Sequence, residues 1–123
     1  MGLTRDENKA HYQIHAYQPG SIQLNDITYK KSMIVTPAKL IECWPPQYFK
    51  ELAREHFDMI GELRPAILLI GTGKTLQFPD ITLYGRLINE GIGIEIMDTA
   101  AACRTYNALT AENRNVAAAL IIH

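Results

Sequence analysis

Cysteine is scarce in this chain, with Cys43 and Cys103 the only two among 123 residues. They allow at most one disulfide, and a chain this long can be held by its apolar core without one, so both are read as reduced and mostly buried. A dominant charge is missing too. Twelve Lys and Arg against thirteen Asp and Glu give a formal charge of -1, which offers no electrostatic footprint for nucleic acid or an anionic membrane surface. The longest apolar run, Val116 to Ile122, is far shorter than the roughly 20 residues that cross a bilayer. Arg5, Asp6, Glu7 and Lys9 stand where a secretion signal would need an apolar stretch. These absences predict a cytoplasmic protein that neither inserts in a membrane nor binds nucleic acid.

What the chain does have is an ordinary globular composition, 47% hydrophobic and 20% charged. A globule of this length buries roughly 65% of the surface its unfolded chain exposes, so residues 1–123 are expected to form a single domain, with 1–10 flexible. The first third reads as β-structure. Tyr12, Ile14 and Ala16 alternate with Gln13 and His15, Pro19-Gly20 marks a turn, and Ile22 and Leu24 follow. After the Asn25-Asp26 turn, strands are predicted at Ile27 to Lys30, Met33 to Val35 and Leu40 to Cys43.

Beyond Trp44-Pro45-Pro46, apolar residues recur at helical spacing in Phe49, Leu52, Ala53, Phe57 and Ile60, which predicts one amphipathic helix from Pro46. Ala66 to Ile70 is apolar at every position, as a strand covered on both faces would be. A second helix is expected after Pro79, with Leu83, Tyr84, Leu87 and Ile88 on one side and Gly91 as its stop. Gly93 to Met97 reads as a strand, a third helix runs from Asp98 or Thr99 to near Asn113, and Val116 to Ile122 is a last buried strand. Such alternation predicts an α/β fold with a largely parallel sheet, the initial meander forming an added layer or a sheet extension.

Gly71-Thr72-Gly73, at the end of an apolar strand, invites comparison with phosphate-binding loops, yet both standard patterns fail. Gly73-Lys74-Thr75 supplies the ending of a P-loop, but Leu68 occupies the place of its first glycine. In the dinucleotide fingerprint the third glycine falls on Leu76, which removes the close helix–strand packing that aims the helix at pyrophosphate. The alternatives are a structural tight turn or a weak anion site that Lys74 would assist.

Cys103 follows a helix start, where a nucleophilic thiol is conceivable, but His11, His15, His56 and His123 stand in no recognisable catalytic context. A buried, inert thiol is the simpler reading. His11 and His15 would lie about 13 Å apart along a strand at roughly 3.3 Å per residue, too far for one metal ion. His56 reads as a helix-flank residue and Asp98 as a helix cap or strand end. In the third helix, Ala100, Ala101 and Ala102 permit close approach of the backbone to the sheet. Arg104, Thr105 and Asn107 lack the Glu/Lys pairing of a solvated face. Either Arg104 and Asn107 meet a specific partner, or they bond the loops around Asp98 and the Gly71 turn within the chain.

Taken together, Gly71-Thr72-Gly73, Gly91-Ile92-Gly93-Ile94-Glu95, Met97-Asp98-Thr99 through Ala102-Cys103-Arg104-Thr105-Tyr106-Asn107, and the closing Glu112, Arg114 and Val116-Ala117-Ala118-Ala119-Leu120 carry a resemblance. The chain resembles a family of small uncharacterised proteins whose mitochondrial member is a respiratory complex I assembly factor, the third in that series. The resemblance spans about Ile22 to Ile122. It implies a three-layer α/β fold with an added β-layer, no established catalytic activity, and protein partners among respiratory-complex subunits or assembly factors; the residues themselves predict no cofactor and no metal. No arginine-rich amphipathic segment of the transit-peptide kind opens the sequence, so the chain looks like a bacterial relative. The leading expectation is a non-enzymatic interaction protein that assists complex I assembly. Its alternative is a small-molecule or anion-binding protein using Gly71, Thr72, Gly73, Lys74, Asp98, Arg104 and Asn107 at strand C-terminal ends.

Overall fold

The computed structural model describes residues 10–123, so the expectation of a flexible stretch over 1–10 falls, except for Ala10, outside the described residues. Three short strands come first, β1 (Ile14–Gln18), β2 (Ser21–Leu24) and β3 (Ile27–Tyr29), and they pair as an antiparallel three-stranded meander. The next two, β4 (Met33–Val35) and β5 (Leu40–Ile41), leave the meander for a second sheet. That sheet takes β6 (Ile67–Gly71), β7 (Gly93–Met97) and β8 (Val116–Leu120) in the order β5-β4-β8-β6-β7. β6 is parallel to both β7 and β8, whereas β4 runs antiparallel to β5 and β8. The first five strands therefore supply both an added layer, β1 to β3, and an extension of the central sheet, β4 and β5, and the central sheet is mixed.

β8 shows why the sheet lies in the middle. All five of its residues are buried, with Val116, Ala118 and Leu120 turned to one core and Ala117 and Ala119 to the other. The period-two alternation of a strand feeds both faces, and alanine leaves room for bulky neighbours on each. On one face lie the small sheet and the long helix α3 (Thr99–Ala111), which contributes Ala102, Cys103 and Tyr106. On the other lie α1 (Asp58–Leu63) and α2 (Gly85–Asn89), with Trp44, Phe57, Tyr84 and Leu87. The fold is a three-layer α/β arrangement with the small sheet sharing a layer with α3.

Four expectations need correcting. The helix expected from Pro46 is broken into 3-10 turns at Phe49–Glu51 and Arg54–Phe57 before the six-residue α1. Buried Trp44 donates its indole N–H to the His56 carbonyl, and His56 Nδ1 accepts the Ala53 N–H, so side chains take backbone groups that a continuous helix would pair internally. The helix after Pro79 is also split, into a turn at Ile81–Leu83 and α2, and Ile88 faces solvent. Cys43 is exposed, because its left-handed backbone (φ 58°) turns the chain so that Trp44 enters the core. Finally, Ala16 is exposed. A bulge between Ile14 and Ala16 shifts the alternation, so that Tyr17 rather than Ala16 packs on the core.

Candidate functional site

The glycine turn is fixed by its neighbours in space. Thr72 N–H donates to the Met97 carbonyl at 2.9 Å, and Gly73 N–H donates to Thr99 Oγ1 at 2.8 Å. The Thr99 hydroxyl in turn donates a hydrogen bond to the Ile121 carbonyl at 2.8 Å, and Thr99 N–H donates to the Gly73 carbonyl at 2.9 Å. One buried hydroxyl thus joins the ends of β6 and β8 to the first turn of α3. The Thr72 hydroxyl closes the loop from inside, donating to the Thr75 carbonyl and accepting the Gln77 N–H. Gly73 has φ +102°, and a Cβ there would stand 2.8 Å from the His123 carbonyl oxygen. At Gly71 a Cβ would meet Thr99 Oγ1 at 2.9 Å. Both glycines are explained by close backbone approach, and the N–H groups of Thr72 and Gly73 are taken by protein acceptors.

Asp98 caps α3, its carboxylate accepting the Ala101 N–H at 2.8 Å. Asn107 bonds within the chain, as one reading of the sequence has it, but its partner is different. Its Oδ1 accepts the Ile14 N–H at 3.1 Å and its Nδ2 donates to the Ile14 carbonyl at 2.6 Å, so the amide pairs with the edge of β1 as a neighbouring strand would. Tyr106 donates its hydroxyl to the Tyr12 carbonyl at 2.7 Å, next to it. These contacts pin the small sheet to α3. Eight residues separate Thr99 from Asn107, about 12 Å along a helix at 1.5 Å per residue. The glycine turn and Asn107 therefore belong to separate places on α3.

Between β1 and α3 opens a cleft of about 200 Å³ in which His15, Tyr17, Ala100, Cys103, Arg104 and Asn107 meet. The sequence reading missed the approach of His15 and Tyr17, which the bulge in β1 and the packing of α3 bring about. Burial pushes the Cys103 thiol from its ordinary value of 9.0 to about 12, although neighbouring Arg104 pulls it down. At neutral pH the group is a protonated thiol and a poor nucleophile. Burial also raises Tyr17, with Cys103 and Asp98 adding to the effect. Arg104 is exposed, as is Lys74, which follows the glycine turn in the chain. Among the described residues, no group of three or more His, Cys, Asp or Glu could hold a metal ion, and no helix is long and apolar enough to cross a membrane.

The segment after the turn is the other departure from a plain surface. Residues 74–78 are all exposed, and Leu76 (49%) and Phe78 (71%) are large apolar side chains among them. Ile81 (59%) and Ile88 (46%) extend the same tendency into the following turn and α2. The sequence signal was available: two apolar residues lie between the breakers Gly73 and Pro79, in a stretch that neither strand nor helix absorbs.

A family model described as protein of unknown function (DUF498/DUF598) matches residues 14–121. The NMR structure of a Xanthomonas campestris protein superposes with a TM-score of 0.81 at 36% identity, covering 99% of this chain and 92% of that one. Among curated relatives, the 13 kDa major membrane protein of Francisella tularensis is 29% identical over 98% of this chain and 99% of its own length. NADH dehydrogenase (ubiquinone) 1 alpha subcomplex assembly factor 3 of Danio rerio is 29% identical over 98% of this chain and 70% of its own length.

Proposed function

We propose that this chain, which belongs to the DUF498/DUF598 family of proteins of unknown function, is a non-enzymatic interaction protein that assists assembly of the NADH:quinone oxidoreductase of its cell from the cytoplasmic side. The support is a relative named as an assembly factor of that enzyme in Danio rerio, together with one observation of the fold. Beyond the glycine turn, which bonds itself, Leu76, Phe78, Ile81 and Ile88 are large apolar side chains exposed to solvent. Exposed large apolar side chains are a recurring feature of surfaces that contact another protein. The thiol that could have served catalysis is held protonated.

Affinity capture of the tagged chain from its source cell tests the reading, beside a deletion strain. Recovery of oxidoreductase subunits and a reduced level of the assembled enzyme in the deletion strain are expected. Repeated recovery of no subunit, with a normal enzyme level after deletion, ends it. Fractionation of the same cells tests the location. A relative named as a major membrane protein makes membrane association through partners the competing outcome.

A second reading has its own observation, the cleft that gathers His15, Tyr17, Cys103, Arg104 and Asn107. A small carboxylate or phosphate would fit its exposed Arg104. Thermal-shift screening against phosphates, nucleotides and carboxylates decides it. Stabilisation lost in Arg104→Ala but kept in Lys74→Ala supports binding in the cleft, and identical shifts in Arg104→Ala and the unaltered chain remove it.

A further inference from the structure

β7 ends the central sheet, and its two sides are unequal. Gly93 N–H donates to the Ala66 carbonyl and the Met97 carbonyl accepts the Thr72 N–H, both at 2.9 Å. Gly93, Glu95 and Met97 therefore direct their backbone groups at β6, and strand alternation turns the N–H and C=O of Ile94 and Ile96 to the open side. Among the described residues no side chain caps those four groups. The contrast with β1 is direct, since its open edge at Ile14 is occupied by the Asn107 amide and the neighbouring Tyr12 carbonyl by Tyr106. The remaining outer strands are short, β5 with two residues and β3 with three. β7 has five residues and no proline, and its single charged side chain is Glu95 at the centre.

We propose that the β7 edge receives an extended segment of a partner protein, added as a sixth strand, in which a basic residue lies opposite Glu95 with apolar residues on either side. The proposal rests on the interaction reading above and names the chemistry of the partner. Glu95 is exposed at the centre of the strand, while Ile94 and Ile96 are half-buried and point to the opposite face. A strand laid along the edge thus meets a carboxylate on one face and two isoleucines on the other. A second copy of the chain is a poor occupant. The twofold antiparallel register that satisfies all four outward groups pairs Ile94 with Ile96 of the copy and sets the two Glu95 carboxylates directly opposite, where like charges destabilise.

The test is an NMR titration of the full chain with a blocked nine-residue peptide of alternating valine and threonine carrying one central lysine, and with the same peptide carrying glutamate instead. The lysine peptide is expected to move the Ile94 and Ile96 amide signals, slow their hydrogen exchange and bind about threefold or more tightly than the glutamate peptide, and Glu95→Lys is expected to reverse that order. Unmoved Ile94 and Ile96 signals, equal binding of the two peptides, or protection of these amides by self-association overturns the proposal. So does a Glu95→Lys chain that captures oxidoreductase subunits undiminished, a result that leaves the assembly reading in place. Failure of the assembly reading shows differently, as no subunit recovered by the unaltered chain, with the peptide titration still deciding the edge.

Discussion

Residues 71–73 and 74–78 are neighbours in the chain and opposites in the fold. The first three are buried, and the N–H groups of Thr72 and Gly73 each have an acceptor within the protein. The next five are exposed and include Leu76 and Phe78. A glycine turn at the end of a parallel strand looks like a place to bind phosphate, because unpaired N–H groups there are an anion site. Here Thr99 Oγ1 accepts the Gly73 N–H, and the exposed residues that follow include the apolar Leu76 and Phe78. The difference shows that glycine spacing alone does not announce a ligand; what matters is whether the freed backbone groups are already used.

Removing the hydroxyl that saturates the turn is the strongest way to break this contrast. Thr99→Val leaves the Gly73 N–H and the Ile121 carbonyl without their buried partner and is expected to cost about 3 kcal/mol, read from urea unfolding. A loss under about 0.5 kcal/mol would mean that the turn does not depend on its internal bonds. Thiol labelling sharpens the comparison between inside and outside. With iodoacetamide near pH 8, Cys103 is expected to react about a hundredfold or more slowly than exposed Cys43. The raised Cys103 thiol also fixes a pH window. Its folded-state value lies above its ordinary one, so the stability it reports is fully present below pH 9.0 and is lost as pH rises through about 12.

Asn107→Ala removes both bonds to Ile14 and is expected to cost about 2 kcal/mol, with hydrogen exchange rising first across β1. Asp98→Ala removes the cap of α3 and should cost about 1 kcal/mol by thermal unfolding. At the small end stands Phe78→Ser, which should change stability by no more than about 0.5 kcal/mol because the ring is already in water. Its capture of protein partners should nevertheless fall. Undiminished capture would show that the apolar loop is not the contact surface.

Much of the fold was legible in the sequence because it rests on local rules. The five early strands, the apolar run into Gly71, the cap at Asp98 and the stop at Gly91 all follow from alternation, turn residues and capping chemistry. The readings failed where a distant contact overruled the local pattern. Helical spacing from Phe49 to Ile60 was real, yet Trp44 and His56 claimed the backbone groups that a helix needed. Alternation placed Ala16 inward until the bulge shifted it. For the candidate site, the sequence drew attention to Asn107 and the glycine turn as polar oddities of one region. It could not reveal that Asn107 pairs with Ile14, ninety-three positions away, or that His15 and Cys103 line one cleft.

The sequence by itself determined the order of the elements and the near-neutral, cysteine-poor character of the chain, because propensity, periodicity and charge act over a few residues at a time. Only the tertiary structure decided which strands share a sheet, which backbone groups are consumed and which edge stays open. Those outcomes depend on hydrogen bonds and packing between segments far apart in sequence, such as Thr99 between Gly73 and Ile121, and no local pattern encodes where such partners will meet.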